Sequence, residues 1–214
     1  LSNFVLLPAI TYGSQLALAA LGVTLIYAVL RFSNFAHGDL MSFGTMVTIL
    51  ITWWLQSIGI TGGIMPTALI ALPFGILITA LLCLLIDQSV YKFYRKQKSV
   101  PVVFMIVSVG VMFTLNALVR FIIGPDDRRF FDGEKFIIKA VEFKNLTGLD
   151  EGLAIKSTQV ITIIVAIITM LILFWFLQKS KTGKSMRAFS NNEDLALLSG
   201  INPDRVVMYT WIIV

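Results

Sequence analysis

The sequence predicts an all-α polytopic membrane protein, and three observations carry that prediction. Apolar residues make up 57% of the 214 residues and charged residues only 14%. Mean hydropathy is +0.86, whereas a soluble domain of this size needs a far larger charged surface. The charges are gathered into a few clusters, leaving uncharged runs at residues 1–30, 40–86, 100–119 and 157–177. A helix needs about 20 apolar residues to span a bilayer. The clusters also alternate in sign along the chain, as loops on the two sides of a membrane do.

Taken in order, these runs predict spans at about 4–30, 35–57, 65–86, 100–123 and 157–178, all within a single transmembrane domain over residues 1–214. The long uncharged run breaks at "QSIGITGGIMP", where Gly59, Gly62, Gly63 and Pro66 mark a turn. The first run is too long for a cleaved signal peptide and lacks its basic leader. It also has no initiator methionine, and "RVVMYTWIIV" opens a further apolar run at 206–214 that stops after about half a span. The expectation is therefore a longer native chain with at least one more span. The single Cys83 lies within an apolar run and reads as a small lipid- or helix-facing filler.

Charge then orients the spans. Residues 87–98 carry four basic groups against one acidic, and the segment 178–205 carries five against three. Residues 124–156 carry six basic against seven acidic. Short positive loops stay in the cytoplasm. The amino terminus, the Gly62 turn and the loop 124–156 are thus expected outside, and Arg31, the Lys92 loop and the loop 179–205 inside. The formal charge of +5 follows from these membrane-flanking residues and does not call for nucleic acid. Within the outer loop, "KFIIKAVEFKN" alternates loosely and predicts a short strand or hairpin, and Asn145-Leu146-Thr147 is formally a glycosylation acceptor.

Three stretches invite chemistry. "KTGKSM" contains Gly183-Lys184-Ser185, but a phosphate-binding loop needs a glycine where Gln178 stands, and a strand rather than a membrane helix before it. Any ATP would then belong to another subunit. Further on, Phe189, Leu195, Leu198 and Ile201 are interleaved with "NNED". Asn191 or Asn192 can cap a short helix with Glu193 and Asp194 in its first turn, Gly200 as its left-handed end and Pro203 as a further stop. Such an amphipathic helix either lies on the inner leaflet or docks in a partner's groove.

The third stretch is "RFSNFAHGDLMSFG", with the only histidine. Ser33 or Asn34 suits the N-cap of the second span, which would put Asp39 about 7 Å along the axis, near the interface. Gly38 and Gly44 allow close approach of a helix or a substrate. His37 and Asp39, two apart, do not share a helix face and give only a weak metal or catalytic signal. Two readings stay open for Asn34, His37, Gly38 and Asp39: capping and packing, or the mouth of a permeation path. In the fourth span, Thr114 and Asn116 are polar at mid-helix, so Asn116 should face protein or water.

With these residues in view, the chain resembles the branched-chain amino acid ABC transporter permeases of the LivH type. "ALGVTLIYAVLRFSNFAHGDLMSFG" carries the resemblance through Asn34, Phe35, Ala36, His37, Gly38 and Asp39. "FIIGPDD" and "TGKSMRAFSNNEDLALLSGIN" look like the family's Gly-Pro-Asp and coupling loop, and Asp194-Leu195-Ala196, three residues and Gly200 fit the pattern of ABC import permeases. The resemblance implies a transport subunit of the bacterial inner membrane with no catalytic residue, no metal and no cofactor. Gly183, Arg187, Glu193, Asp194, Ala196 and Gly200 would meet a cytoplasmic ATPase subunit that binds the ATP. A second permease subunit, alike or different, and a periplasmic substrate-binding protein complete the expected partners. The same family includes urea and short-chain amide permeases. Outside it, the main rival is a proton-coupled transporter using His37 and Asp39.

Overall fold

The computed structural model describes residues 5–60, 67–126, 136–138 and 155–214. Its helices are α1 (Leu7–Leu30), α2 (His37–Ser57), α3 (Thr67–Ile86), α4 (Lys92–Lys96), α5 (Pro101–Ile123), α6 (Ser157–Lys179), α7 (Lys181–Asn191), α8 (Glu193–Leu198) and α9 (Pro203–Ile213). A π-helical turn, Asp87–Tyr91, joins α3 to α4, so that Thr67–Lys96 is one continuous helical stretch. That stretch and α1, α2, α5 and α6 are long and apolar enough to cross a membrane. The all-α polytopic fold expected from the sequence is the fold observed.

Two short strands, β1 (Phe136–Ile138) and β2 (Ile155–Lys156), pair antiparallel. β1 falls inside "KFIIKAVEFKN", and its partner comes from the far end of the loop, immediately before α6. The Gly62-Gly63 turn with Pro66, the triplet at Asn145 and most of the loop 124–156 lie outside the described residues.

The chain divides into two compact units, Leu1–Ala20 with Phe131–Trp175 and Leu21–Phe130 with Phe176–Val214. Most of α6 belongs to the first. It buries Ala166 alone and exposes Ile164, Ile167, Ile168, Leu171 and Ile172. A helix apolar all round is matched to hydrocarbon on most of its surface.

In the second unit, α2 and α3 pack through a reciprocal pattern of glycine and threonine. A Cβ placed on Gly44 of α2 would lie 2.9 Å from Thr79 Oγ1, and one on Gly75 of α3 would strike Thr48 Oγ1. Each threonine hydroxyl is turned back onto its own helix: Thr48 donates to the Gly44 carbonyl and Thr79 to the Gly75 carbonyl, both at 2.8 Å. The donors are satisfied without a partner helix, and the glycines let the backbones close, which is how helices associate in lipid. Gly44 therefore admits a helix, as the sequence allowed, while a Cβ on Gly38 would meet nothing within 4 Å. Gly75→Val is expected to destabilise by about 1–3 kcal/mol through overpacking. Gly110→Val, at a site with nothing within 4 Å, is the control, and equal melting midpoints for the two variants would refute the packing account.

The core of this unit gathers Ile26, Phe32, Ala36, Leu40, Cys83, Tyr91, Phe104 and Trp211. Cys83 is buried there, facing helices rather than lipid.

Candidate functional site

The site begins at a corner. α1 ends at Leu30, Arg31 takes a left-handed φ of 61°, and residues 31–36 double back before α2 opens at His37. A non-glycine residue in that region costs about 1–2 kcal/mol, so neighbours must hold it. The Arg31 guanidinium donates to the carbonyl of Ser190 in the last turn of α7, where a helix end favours a cation. The Ser190 hydroxyl in turn donates to the Ala28 carbonyl at the end of α1, at 2.8 Å. Each of these helix ends thus has a carbonyl satisfied by a side chain of the other segment.

The returning segment climbs beside α1 and α5. Its Phe32 ring stacks on Phe104 at 5.1 Å, the Phe35 N–H donates to Ser108 Oγ at 3.1 Å, and Asn116 Nδ2 donates to Asp39 Oδ1 at 3.1 Å. Partners on α5 advance as the chain advances, so α2 and α5 run in the same direction. At 1.5 Å per residue Asp39 lies about 22 Å along α5 from Pro101. On the α1 side, the His37 imidazole fills the space a Cβ of Gly22 would need, 2.6 Å from Cε1 and 2.7 Å from Nε2. Gly22 lies about 12 Å back from the end of α1. The expected interfacial position of Asp39 is therefore corrected. α2 starts deep within the bundle because the chain has already re-entered it over residues 31–36.

The expected cap is corrected as well. Ala36 holds the N-cap position of α2 and makes no side-chain cap bond. Asn34 acts one turn earlier: its Oδ1 accepts the Ala36 N–H and the Tyr91 hydroxyl, each at 3.1 Å. Two donors on one oxygen fix the amide orientation. Nδ2 is left buried with no partner among the described residues, a condition that costs about 1–3 kcal/mol. Asn34 and His37 are each 6% exposed, Asp39 is half-buried, and Gly38, Thr114 and Asn116 are exposed. Of the expected pathway residues, the structure joins Asp39 to Asn116 and places Asn34 and His37 on the segment leading to them. The Thr114 hydroxyl is turned back to the Gly110 carbonyl at 2.9 Å.

Sequence reasoning missed the cluster that holds this segment from the other side. Residues 87–98 read as a loop, but the helix continues through the π turn to Lys96. A π turn inserts one extra residue, so Asp87 and Arg95, eight apart, stack as residues seven apart do on a regular helix, two turns up the same face. The Asp87 carboxylate accepts both Arg95 Nη1 at 2.6 Å and Nη2 at 2.9 Å, and the Trp211 Nε1–H from α9 at 2.8 Å. The Tyr91 ring stacks on Trp211 at 5.3 Å while its hydroxyl reaches Asn34. The available signal was an aspartate directly at the end of a long uncharged run, where a paired, buried role is the commoner reason for a charge.

The loop 179–205 holds two helices rather than the one expected, because Ser180 caps α7 through the Gly183 N–H at 2.8 Å and Asn192 is extended between α7 and α8. A Cβ on Gly183 would strike the Phe176 carbonyl and lie 2.6 Å from Leu177 Cα. The glycine of "KTGKSM" thus serves a tight helix corner. Arg187 is exposed on α7.

α8 is built as its residues foretell. Asn192 Oδ1 accepts the Leu195 N–H at 3.1 Å, and Glu193 and Asp194 occupy the first turn. At the other end Gly200 has φ 81°, its N–H donates to the Leu197 carbonyl at 3.0 Å and the Ile201 N–H donates to the Ala196 carbonyl at 3.1 Å. This pair of bonds is the Schellman motif. Ala196 is buried with Val29, Met186, Phe189 and Val206, whereas Leu195 is 61% and Leu198 85% exposed. Pro203, expected as a stop, is also the first residue of α9, under an Asn202 cap whose Oδ1 accepts the Asp204 N–H at 2.9 Å.

Five helices long and apolar enough to cross a membrane, with a helical loop whose Leu195 and Leu198 are turned outward, define a multi-pass membrane protein. The sequence profile of the family described as "Branched-chain amino acid transport system / permease component" matches residues 5–214. The chain belongs to that family. It is 29% identical over 209 residues to the high-affinity branched-chain amino acid transport system permease protein LivH of Escherichia coli (strain K12), covering 95% of this chain and 64% of that protein. The permease protein BraD of Pseudomonas aeruginosa is 25% identical over 212 residues, 97% of this chain and 65% of that protein. A probable LivH of Methanocaldococcus jannaschii is 26% identical over 211 residues, 96% of this chain and 60% of that protein. The chain thus spans less than two thirds of the length of these relatives. No solved structure matches it.

Proposed function

We propose that this chain is the membrane-spanning subunit of an ATP-driven importer for branched-chain or other small amino acids, residues 1–214 acting as one permease domain. The amino terminus faces outward and the loop 179–205 faces the cytoplasm of a bacterial cell. There a separate ATPase subunit binds and hydrolyses ATP, so the permease itself is not an enzyme. A second permease subunit, identical or related, and a periplasmic binding protein complete the complex. Substrate passes along the strip of Asn34, His37, Gly38, Asp39, Thr114 and Asn116.

The observation that carries this reading is α8. A helix capped at both ends, anchored by one buried alanine, and exposing Leu195 and Leu198 beside Glu193 and Asp194 is shaped to be gripped in a groove. The relatives' names supply the substrate class. Reconstitution of the permease with its ATPases and binding protein should give leucine uptake that requires ATP. Gly200→Val, which forces a β-branched residue to φ 81°, should cut that uptake at least tenfold while the permease remains inserted. Uptake driven by a proton gradient without ATPases would overturn the proposal, and ATP-dependent uptake of urea or an amide would reassign the substrate.

A further inference from the structure

Both flanks of the loop that carries α8 connect to residues 31–36, the α7 side directly and the α9 side through Tyr91. On the α7 side, Arg31 donates to the Ser190 carbonyl and Ser190 donates to the Ala28 carbonyl. On the α9 side, Trp211 bonds to Asp87 at 2.8 Å and stacks on Tyr91 at 5.3 Å, and the Tyr91 hydroxyl bonds to Asn34 at 3.1 Å. We propose that residues 31–36 are the lever that passes displacement of the loop to the Asn34–Asp39 strip, with Arg31 and Tyr91 the positioning residues at its two ends. This rests on the importer reading above and names the link through which it works.

Three features make this segment, rather than α1 alone, the moving part. Its shape is imposed from outside: Arg31 sits at φ 61°, and within residues 31–36 the Asn34 Nδ2 donor has no partner among the described residues. A segment held in an unfavourable conformer by its neighbours changes conformer when they move. One anchor, Ser190, lies on α7, and the other, Tyr91, is stacked on Trp211 of α9. The two helices that flank α8 in sequence thus reach the segment, one directly and one through Tyr91. Finally, His37 and Asp39 follow it directly, and the Asp39–Asn116 bond ties the start of α2 to α5. Displacement of the corner therefore acts on the polar strip itself.

The test separates work from coupling. The full-length permease is reconstituted with its ATPases and binding protein, and uptake and ATP hydrolysis are measured together. Arg31→Gly removes the guanidinium while suiting the left-handed backbone, so lost folding does not confuse the result. Tyr91→Phe keeps the aromatic stack and deletes only the bond to Asn34, and serves if the first variant fails to assemble. Each is expected to lower leucine transported per ATP hydrolysed at least fivefold, with hydrolysis kept within twofold of the parent and Arg31→Lys partly restoring the ratio. A ratio within twofold of the parent, whether both rates fall or neither does, overturns the lever and leaves the importer intact. A parent complex that shows no ATP-dependent uptake removes the importer reading itself.

Discussion

Asp87→Ala is expected to destabilise the protein by about 3–5 kcal/mol, the range seen when one partner of a buried ion pair is removed. The Asp87 side chain is only 9% exposed and satisfies three donors, two from Arg95 and one from Trp211. Alanine would strand a guanidinium, a quarter exposed, and an indole N–H in a place with no substitute acceptor on the same side chain. The stacked rings of Tyr91 and Trp211 would lose the bond that sets their register. A fall in the melting midpoint on the order of 10 °C in detergent is the expected reading. Asp87→Asn should fall less, since its oxygen still accepts from Trp211. The paired change Asp87→Leu with Arg95→Met should recover most of the loss, because the desolvated charge leaves with its partner. A single variant that melts with the parent would show that the cluster does not hold the fold.

Gly22→Leu is expected to have the second largest effect. The first atom of any side chain at this position would already lie 2.6 Å from the His37 ring, and 3.5 Å from a Val214 methyl. His37 cannot simply swing away, because it opens α2 and is itself only 6% exposed. The added atoms must therefore push α1 and α2 apart, with an overpacking penalty of about 1–3 kcal/mol for the first methylenes and more for a full leucine. Gly22→Ala should show the smaller version of the same loss. His37→Ala combined with Gly22→Ala should restore stability relative to Gly22→Ala alone, since the second change vacates the volume the first one needs. Melting midpoints decide it without reference to transport. Equal midpoints for the single and double variants would place the cause elsewhere.

Much of the fold is legible in the sequence. Uncharged runs located the membrane-crossing helices because a bilayer tolerates few charges and demands a minimum length. The cap at Asn192 and the left-handed end at Gly200 were equally legible. Both depend on one side chain or one missing Cβ acting on its own backbone. Asn34, Asp39 and Asn116 could be picked out as polar groups that an apolar setting must satisfy. What could not be read was with whom: Asn116 meets Asp39 from 77 positions away, and Trp211 meets Asp87 from 124.

By itself, then, the sequence determined the class of the protein, the identity of its crossings and the build of α8, all of which follow from properties a residue carries within one turn of itself. Tertiary structure alone decided the pairing of Asp39 with Asn116, the continuation of α3 through a charged stretch, and the role of Gly22 and Gly183. These depend on where a second segment lies, and the chain's local preferences do not encode that. The π turn shows the difference most clearly. Nothing in "DQSVYKFYR" distinguishes a loop from a helix with one extra residue until Trp211 and Asn34 arrive to be bonded.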